Sequence, residues 1–181
     1  MYHHQHPRRH RRSIRLTGYD YAQAGAYFIT ICTQDRECLF GEVVDGEMHM
    51  NAAGKIVYEE WLRTEAIRSE VKLDVFQVMP NHIHGIVFIT GDRVDHVGAH
   101  GRAPLRRAPK SLGSLVAGFK STVTKRINQM RCTPGQPVWQ RNYYEHVIRN
   151  ERELDAVRQY IVDNPARWPE DRENPKNFLE L

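Results

Sequence analysis

The stretch H-I-H-G-I-V-F-I, residues 82–89, constrains the fold more than any other part of the chain. Its β-branched and aromatic content reads as a strand, and strand side chains alternate between two faces. His82 and His84 therefore share a face with Ile86 and Phe88, and Ile83, Gly85, Val87 and Ile89 take the other. A strand apolar on both faces must be covered on both, with a layer on either side of its sheet. Two imidazoles side by side on a stiff, covered strand make half of a metal site. The same pair is equally compatible with two hydrogen-bonded rings that merely end a core strand.

The flanking sequence supplies the rest of a small domain. Residues 26–33 (A-Y-F-I-T-I-C-T) read as a strand. Residues 39–44 and 47–50 read as a hairpin around Asp45-Gly46, a pair suited to the positive φ angles of a type I′ turn. Asn51 can cap a helix running to about residue 69, with Ile56, Val57, Trp61, Leu62 and Ala66 on its apolar side. Residues 71–78 return to strand character, and Pro80-Asn81 turns the chain into an antiparallel 82–90 strand. Leu112, Leu115, Val116, Phe119, Val123 and Ile127 mark a helix over 111–130. Asn150 and Glu153 form a capping-box-like pair at the start of another helix, with a Leu154, Val157, Ile161 stripe and Pro165 at its end.

With 181 residues the chain suffices for one domain and a real core. No apolar run approaches the roughly 18 residues that a membrane-spanning helix needs. The arginine- and histidine-rich start has the basic part of a signal peptide but no apolar part after it. Three cysteines, Cys32, Cys38 and Cys132, show no CxxC spacing, which disfavours a disulfide framework and fits a reducing cytoplasm.

The net charge of +4 matters through its placement. Residues 1–20 form a basic arm. Residues 91–110 are rich in glycine and proline and carry Arg93, Arg102, Arg106, Arg107 and Lys110, which suits a loop that closes over a phosphate backbone. Lys120, Lys125 and Arg126 lie off the apolar stripe of the second helix, as phosphate contacts or as a solvated face. Between Arg141 and Arg149, in an extended segment, stand Tyr143 and Tyr144, with Trp139 just before. Interleaved aromatic and basic side chains suit single-stranded nucleic acid; the competing reading puts these aromatics in the core.

Tyr160 and Asn164 are one turn apart on the last helix, so they share a face. Asn164 offers a carbonyl oxygen to a hard cation, and Tyr160 offers a phenol as nucleophile. A phenol is weakly nucleophilic at its ordinary pKa and gains when its electrophile is a phosphodiester polarised by a divalent ion. Tyr143 and Tyr144 are rival nucleophiles on chemistry alone.

Three runs, M-P-N-H-I-H-G-I (79–86), W-Q-R-N-Y-Y-E-H-V-I-R-N (139–150) and Q-Y-I-V-D-N-P (159–165), resemble the REP-associated tyrosine transposases, members of the single-tyrosine HUH endonuclease superfamily. The likeness covers roughly residues 27–168. It implies an α/β (α+β) domain with a small antiparallel sheet, helices packed on it, and a ferredoxin-like or RRM-like core. It divides the chain into the arm, a transposase domain over 21–168 and a tail over 169–181. It implies that His82, His84 and Asn164 bind Mg2+ or Mn2+ and that Tyr160 is the catalytic nucleophile. Relatives from insertion sequences often carry glutamine where this chain has Asn164. The implied substrate is single-stranded DNA beside REP-like hairpins, cut through a 5′-phosphotyrosine that can be rejoined. Arg102, Arg106, Arg107, Lys110, Lys120, Arg141 and Arg149 would contact that DNA, and the protein would act as a monomer or homodimer. Two other readings compete. One is a non-catalytic hairpin-binding module. The other is a zinc hydrolase with His146 or His96 as a further ligand.

Overall fold

A computed structural model describes residues 23–90 and 110–178. The basic arm, residues 91–109 with Arg102, Arg106 and Arg107, and residues 179–181 lie outside the described residues. The elements in chain order are β1 (Gly25–Cys32), β2 (Gly41–Val44), β3 (Glu47–Met50), α1 (Ala52–Ile67), β4 (Val71–Val78), β5 (His82–Ile89), α2 (Leu112–Arg131), β6 (Tyr144–Ile148) and α3 (Glu151–Asp163). Short 3₁₀ turns occupy Gln34–Arg36, Trp168–Glu170 and Pro175–Phe178.

Four strands form an antiparallel sheet in the order β4-β5-β1-β6. With the β2–β3 hairpin set aside, the frame is β1-α1-β4-β5-α2-β6, the ferredoxin-like arrangement. The histidine strand is central, paired with β4 on one side and β1 on the other, and is buried along nearly its whole length. Its two faces serve two cores. Ile83, Val87 and Ile89 join Ile29 and Ile31 of β1 under Val57 and Trp61 of α1 and the full expected stripe of α2, from Leu112 to Ile127. Ile86 joins Phe28 and Ile148 under Leu154 and Ile161 of α3. Each such aliphatic side chain contributes about 1.5–3 kcal/mol by leaving water.

The local signals work as read. Asp45 (φ 51°) and Gly46 (φ 80°) make the positive-φ turn between β2 and β3. The Asn51 side chain accepts the Gly54 N–H at 3.0 Å, and the Asn150 side chain accepts the Glu153 N–H at 2.9 Å. The Asn150–Glu153 box closes one residue early. Glu153 accepts the Arg149 N–H, because its other carboxylate oxygen is held at 2.6 Å by His146 Nε2 on β6. Arg158 binds both Asp74 oxygens, at 2.6 to 3.2 Å, so α3 is tied to β4 as well as to β6.

Gly85 is the one β5 position that must stay small. A Cβ there would meet the Trp61 ring at 2.5 Å, and that ring is stacked on Phe76 at a centroid distance of 4.5 Å. Gly85→Ala is expected to destabilise the protein by about 1–3 kcal/mol, the usual cost of overpacking. Urea unfolding with an unchanged midpoint would contradict this account of the Trp61 contact.

Candidate active site

Cross-strand pairing sets the site. Thr30 of β1 lies opposite His84, and Cys32 lies opposite His82, so both imidazoles stand on the face that α3 covers only in part. His82 and His84 are 0% and 3% exposed. Their Nε2 atoms face each other at 3.1 Å.

Asn81 fixes the first ring. Its amide nitrogen donates to the Arg36 carbonyl at 3.1 Å and to the Glu173 carbonyl at 2.6 Å. Its amide oxygen therefore faces His82 Nδ1, at 2.8 Å, and accepts a proton from it. His82 Nε2 is left with a bare lone pair turned into the site. His84 Nδ1 meets the Thr30 hydroxyl at 2.8 Å. A hydroxyl both donates and accepts, so Thr30 supports either tautomer of His84. One tautomer lets His84 Nε2–H bond to His82, and the other presents two lone pairs to a shared cation.

Both imidazoles are held neutral. Burial pushes His82 down to about 3, with a smaller opposing effect from the Asn164 side chain. Burial also drives His84 well below the usual histidine range, helped by neighbouring His82 and opposed by Asp171. Neutral imidazole is the form that ligates metal.

The last helix brings the remaining groups. Tyr160 sits in the final turns of α3, and its hydroxyl is 3.5 Å from His84 Nε2. Its ring meets Phe28 edge-on at a centroid distance of 6.0 Å. Burial, then Asp171, raises the phenol above its ordinary value, so Tyr160 is protonated at neutral pH. Asn164 caps α3 at its C-terminus and is 2% exposed. Its amide nitrogen donates to Asp171 at 3.2 Å, while its carbonyl oxygen is buried with no hydrogen-bond partner. Such an orphan acceptor costs about 1–3 kcal/mol. A cation ligated there would remove that cost, so the residues present fit a divalent metal.

Sequence reasoning missed four residues. Asp171 lies in the segment after α3, and His82, His84 and Asp171 each offer a ligand atom within 4.8 Å of the others. They form the one cluster of three His, Cys, Asp or Glu ligands among the described residues. Glu173 accepts from Arg36 Nε at 2.6 Å, and Thr30 orients His84. The segment read as a polar tail therefore completes the site. No spacing signal marks Asp171 or Glu173. Asn81 stood inside the histidine motif, and asking what holds His82 Nδ1 would have found it.

The remaining site residues scatter. Lys120 donates to the carbonyls of Gln140 and Asn142, at 2.9 and 3.0 Å, and lies over the Tyr143 ring; it braces the loop before β6. Arg126 pairs with Glu59 and Glu60 of α1. Lys110, Arg141 and Arg149 are exposed. His146 is engaged with Glu153, two residues along β6 from the row that holds His84, and His96 lies outside the described residues. A cleft of about 910 Å³ runs from His84 and Tyr160 past Tyr144 and Arg141, with Arg167 and Arg172 also on its wall.

The low histidine values carry a stability consequence in metal-free protein. The unfolded imidazole of His82 titrates at about 6.5, whereas the folded one stays neutral to about 3. Between those values the unfolded chain binds more protons. The contribution is intact above about pH 6.5 and is lost progressively as pH falls toward 3. Urea unfolding in EDTA between pH 8 and 4 should show this loss, with a flatter profile in a His82→Gln/His84→Gln variant. Equal slopes in the two proteins would contradict it.

No protein-family model matches the chain. An uncharacterized protein of Haemophilus influenzae (strain Rd KW20) is 38% identical over 172 residues, which cover 90% of this chain and 92% of that protein. A solved structure of a REP-associated tyrosine transposase bound to a REP hairpin superimposes with a TM-score of 0.57 at 18% identity, covering 82% of this chain and 71% of that one. The two share a fold.

Proposed function

The chain belongs to one family with the Haemophilus influenzae protein, and we propose that it is a metal-dependent endonuclease and strand transferase, a transposase of the single-tyrosine HUH type. Its substrate on this reading is single-stranded DNA beside hairpins of the REP-like palindromic kind. The observation that carries the reading is the 3.5 Å approach of the Tyr160 hydroxyl to His84 Nε2, beside the unpartnered Asn164 carbonyl. The fold shared with the hairpin-bound transposase and the three sequence runs support it.

His82, His84 and Asn164 would hold Mg2+ or Mn2+, with Asp171 at hand as a carboxylate that balances its charge. Such a cation supplies positive charge to the oxygens of the scissile phosphate. The chain's own groups do the rest. Asn81 keeps the proton of His82 on Nδ1, away from the site. Phe28 and the anchored α3 orient the Tyr160 ring. The Tyr160 oxygen loses its proton and bonds to phosphorus, the P–O3′ bond breaks, and the 3′-oxygen leaves as a hydroxyl. The 5′-phosphate stays on Tyr160, and a second 3′-hydroxyl reverses the step to join a new strand. Arg141 would meet phosphates along the cleft, and Arg149, Lys110, Arg102, Arg106 and Arg107 would add further phosphate contacts. Phosphate contacts of this kind give affinity that falls with salt. On this reading Tyr160 and the histidines of the same chain act together.

The deciding experiment incubates the protein with Mn2+ and labelled hairpin oligonucleotides taken from repeats flanking the gene, then denatures it. A covalent adduct on wild-type chain is expected. Tyr160→Phe should form none while binding the hairpin within about twofold. Tight hairpin binding with no adduct in either metal would favour a non-catalytic hairpin-binding protein instead.

Asn81 gives a separate check on the metal. Losing such an outer-shell partner typically weakens metal affinity by about 10–100-fold. Calorimetric titration of Asn81→Ala with Mn2+ should show a loss of that size, with the circular dichroism of the fold unchanged. Equal affinities would remove Asn81 from the site.

A further inference from the structure

The strand register sets a row of side chains that runs from a buried histidine to an exposed ring. Thr30 pairs with His84 on one side and with Tyr144 on the other. Directly paired residues share a face, so His84, Thr30 and Tyr144 stand side by side across β5, β1 and β6. Tyr144 is about 10 Å from the histidine strand, two strand spacings away. The neighbouring row, with Phe28 and Ile86, is buried beneath α3. Tyr144 is not: it is 42% exposed, much as Tyr160 is at 41%. Both rings meet Phe28 edge-on, at 6.1 and 6.0 Å, so Phe28 is the shared step between them.

The other aromatics of this segment are engaged elsewhere. Trp139 packs in the main core against Phe40 and Phe119. Tyr143 is half-buried beside the same core and under Lys120. Tyr143 and Tyr144 both line the cleft with Arg141, and Tyr144 is the more exposed of the two. A large exposed ring beside a nucleophile, with cationic side chains along the cleft, is what a single strand needs for base stacking.

We propose that Tyr144 is the stacking platform for the base of the nucleotide next to the scissile phosphate. The proposal rests on the single-stranded DNA reading given above. Its ligand class is a nucleobase of any identity, because stacking uses the π-face and not the base edge. The platform would hold the strand across the sheet so that the adjoining phosphate lies at His84 and Tyr160.

The test is a binding cycle in the Tyr160→Phe background, where no covalent step enters. The probes are a hairpin oligonucleotide from the flanking repeats and derivatives with one abasic nucleotide at each single-stranded position. Tyr144→Ala is expected to weaken binding of the intact probe about tenfold. One abasic position should weaken binding to protein with Tyr144 by the same factor and add nothing in Tyr144→Ala. Tyr144→Phe should match the parent. Tyr144→Leu, which keeps apolar bulk without the ring, should behave like alanine and guards against a folding defect. Abasic penalties that are the same with and without Tyr144 at every position would overturn the platform. Adduct formation by the wild-type chain without coupling overturns the platform alone, and coupling without an adduct overturns the endonuclease reading alone.

Discussion

Two neutral imidazoles buried at the start of the central strand are the constraint on which the rest depends. Burial, reinforced at His84 by the neighbouring His82, keeps both rings uncharged. A buried polar ring needs a partner at each nitrogen, or it destabilises the fold. Asn81 meets that need for His82 and Thr30 meets it for His84, leaving the two Nε2 atoms to each other or to a guest. Asn81 can do so only because its amide nitrogen is anchored on two backbone carbonyls, Arg36 before the sheet hairpin and Glu173 after α3. The positions of two distant loops are thus coupled to one imidazole.

The fold was largely legible because its signals are local. Period-two and period-3.6 apolar patterns, an Asp-Gly turn and two asparagine caps marked the boundaries of most elements. The doubly apolar β5 required a layer on each face, and α1 with α2 on one side and α3 on the other supply them. The site was legible where chemistry follows chain geometry: His82 and His84 two apart on a strand, Tyr160 and Asn164 four apart on a helix. It was illegible where the chain returns after α3. Asp171 and Glu173 reach the histidines through tertiary folding, and a polar, proline-broken segment carries no periodicity that aims a side chain. Lys120 carries a tie that its charge alone did not announce: from the middle of α2 it reaches the carbonyl oxygens of the loop before β6.

The placement of α3 explains how a modest helix holds Tyr160 beside the histidines. Its apolar stripe contributes just two fully buried side chains, Leu154 and Ile161. Polar ties make up the difference: Arg158 to Asp74 on β4, and Glu153 to His146 on β6. These lie at opposite edges of the sheet, so the helix is fixed against both sliding and rotation. The next row along the sheet, His84, Thr30 and Tyr144, runs from two buried side chains to the exposed Tyr144 ring. Tyr160, near the helix end, reaches that row.

The electrostatics of the site argue for its partner. Within the ring of donors, both imidazoles are neutral, Asn164 is uncharged and Tyr160 is a protonated phenol. Asp171 then stands as the one formal charge in the set, and it is negative. Arg36, close by, is already paired with Glu173 at 2.6 Å. A phosphodiester approaching these groups would meet the Asp171 carboxylate at the donors, with Arg167 and Arg172 among the cations lining the cleft. A phenol beside that carboxylate is also harder to ionise, as its raised value shows. A dication, as proposed above, would attract both the carboxylate and the phosphate. On the reading proposed above, a divalent cation supplies the positive charge that this set of donors lacks.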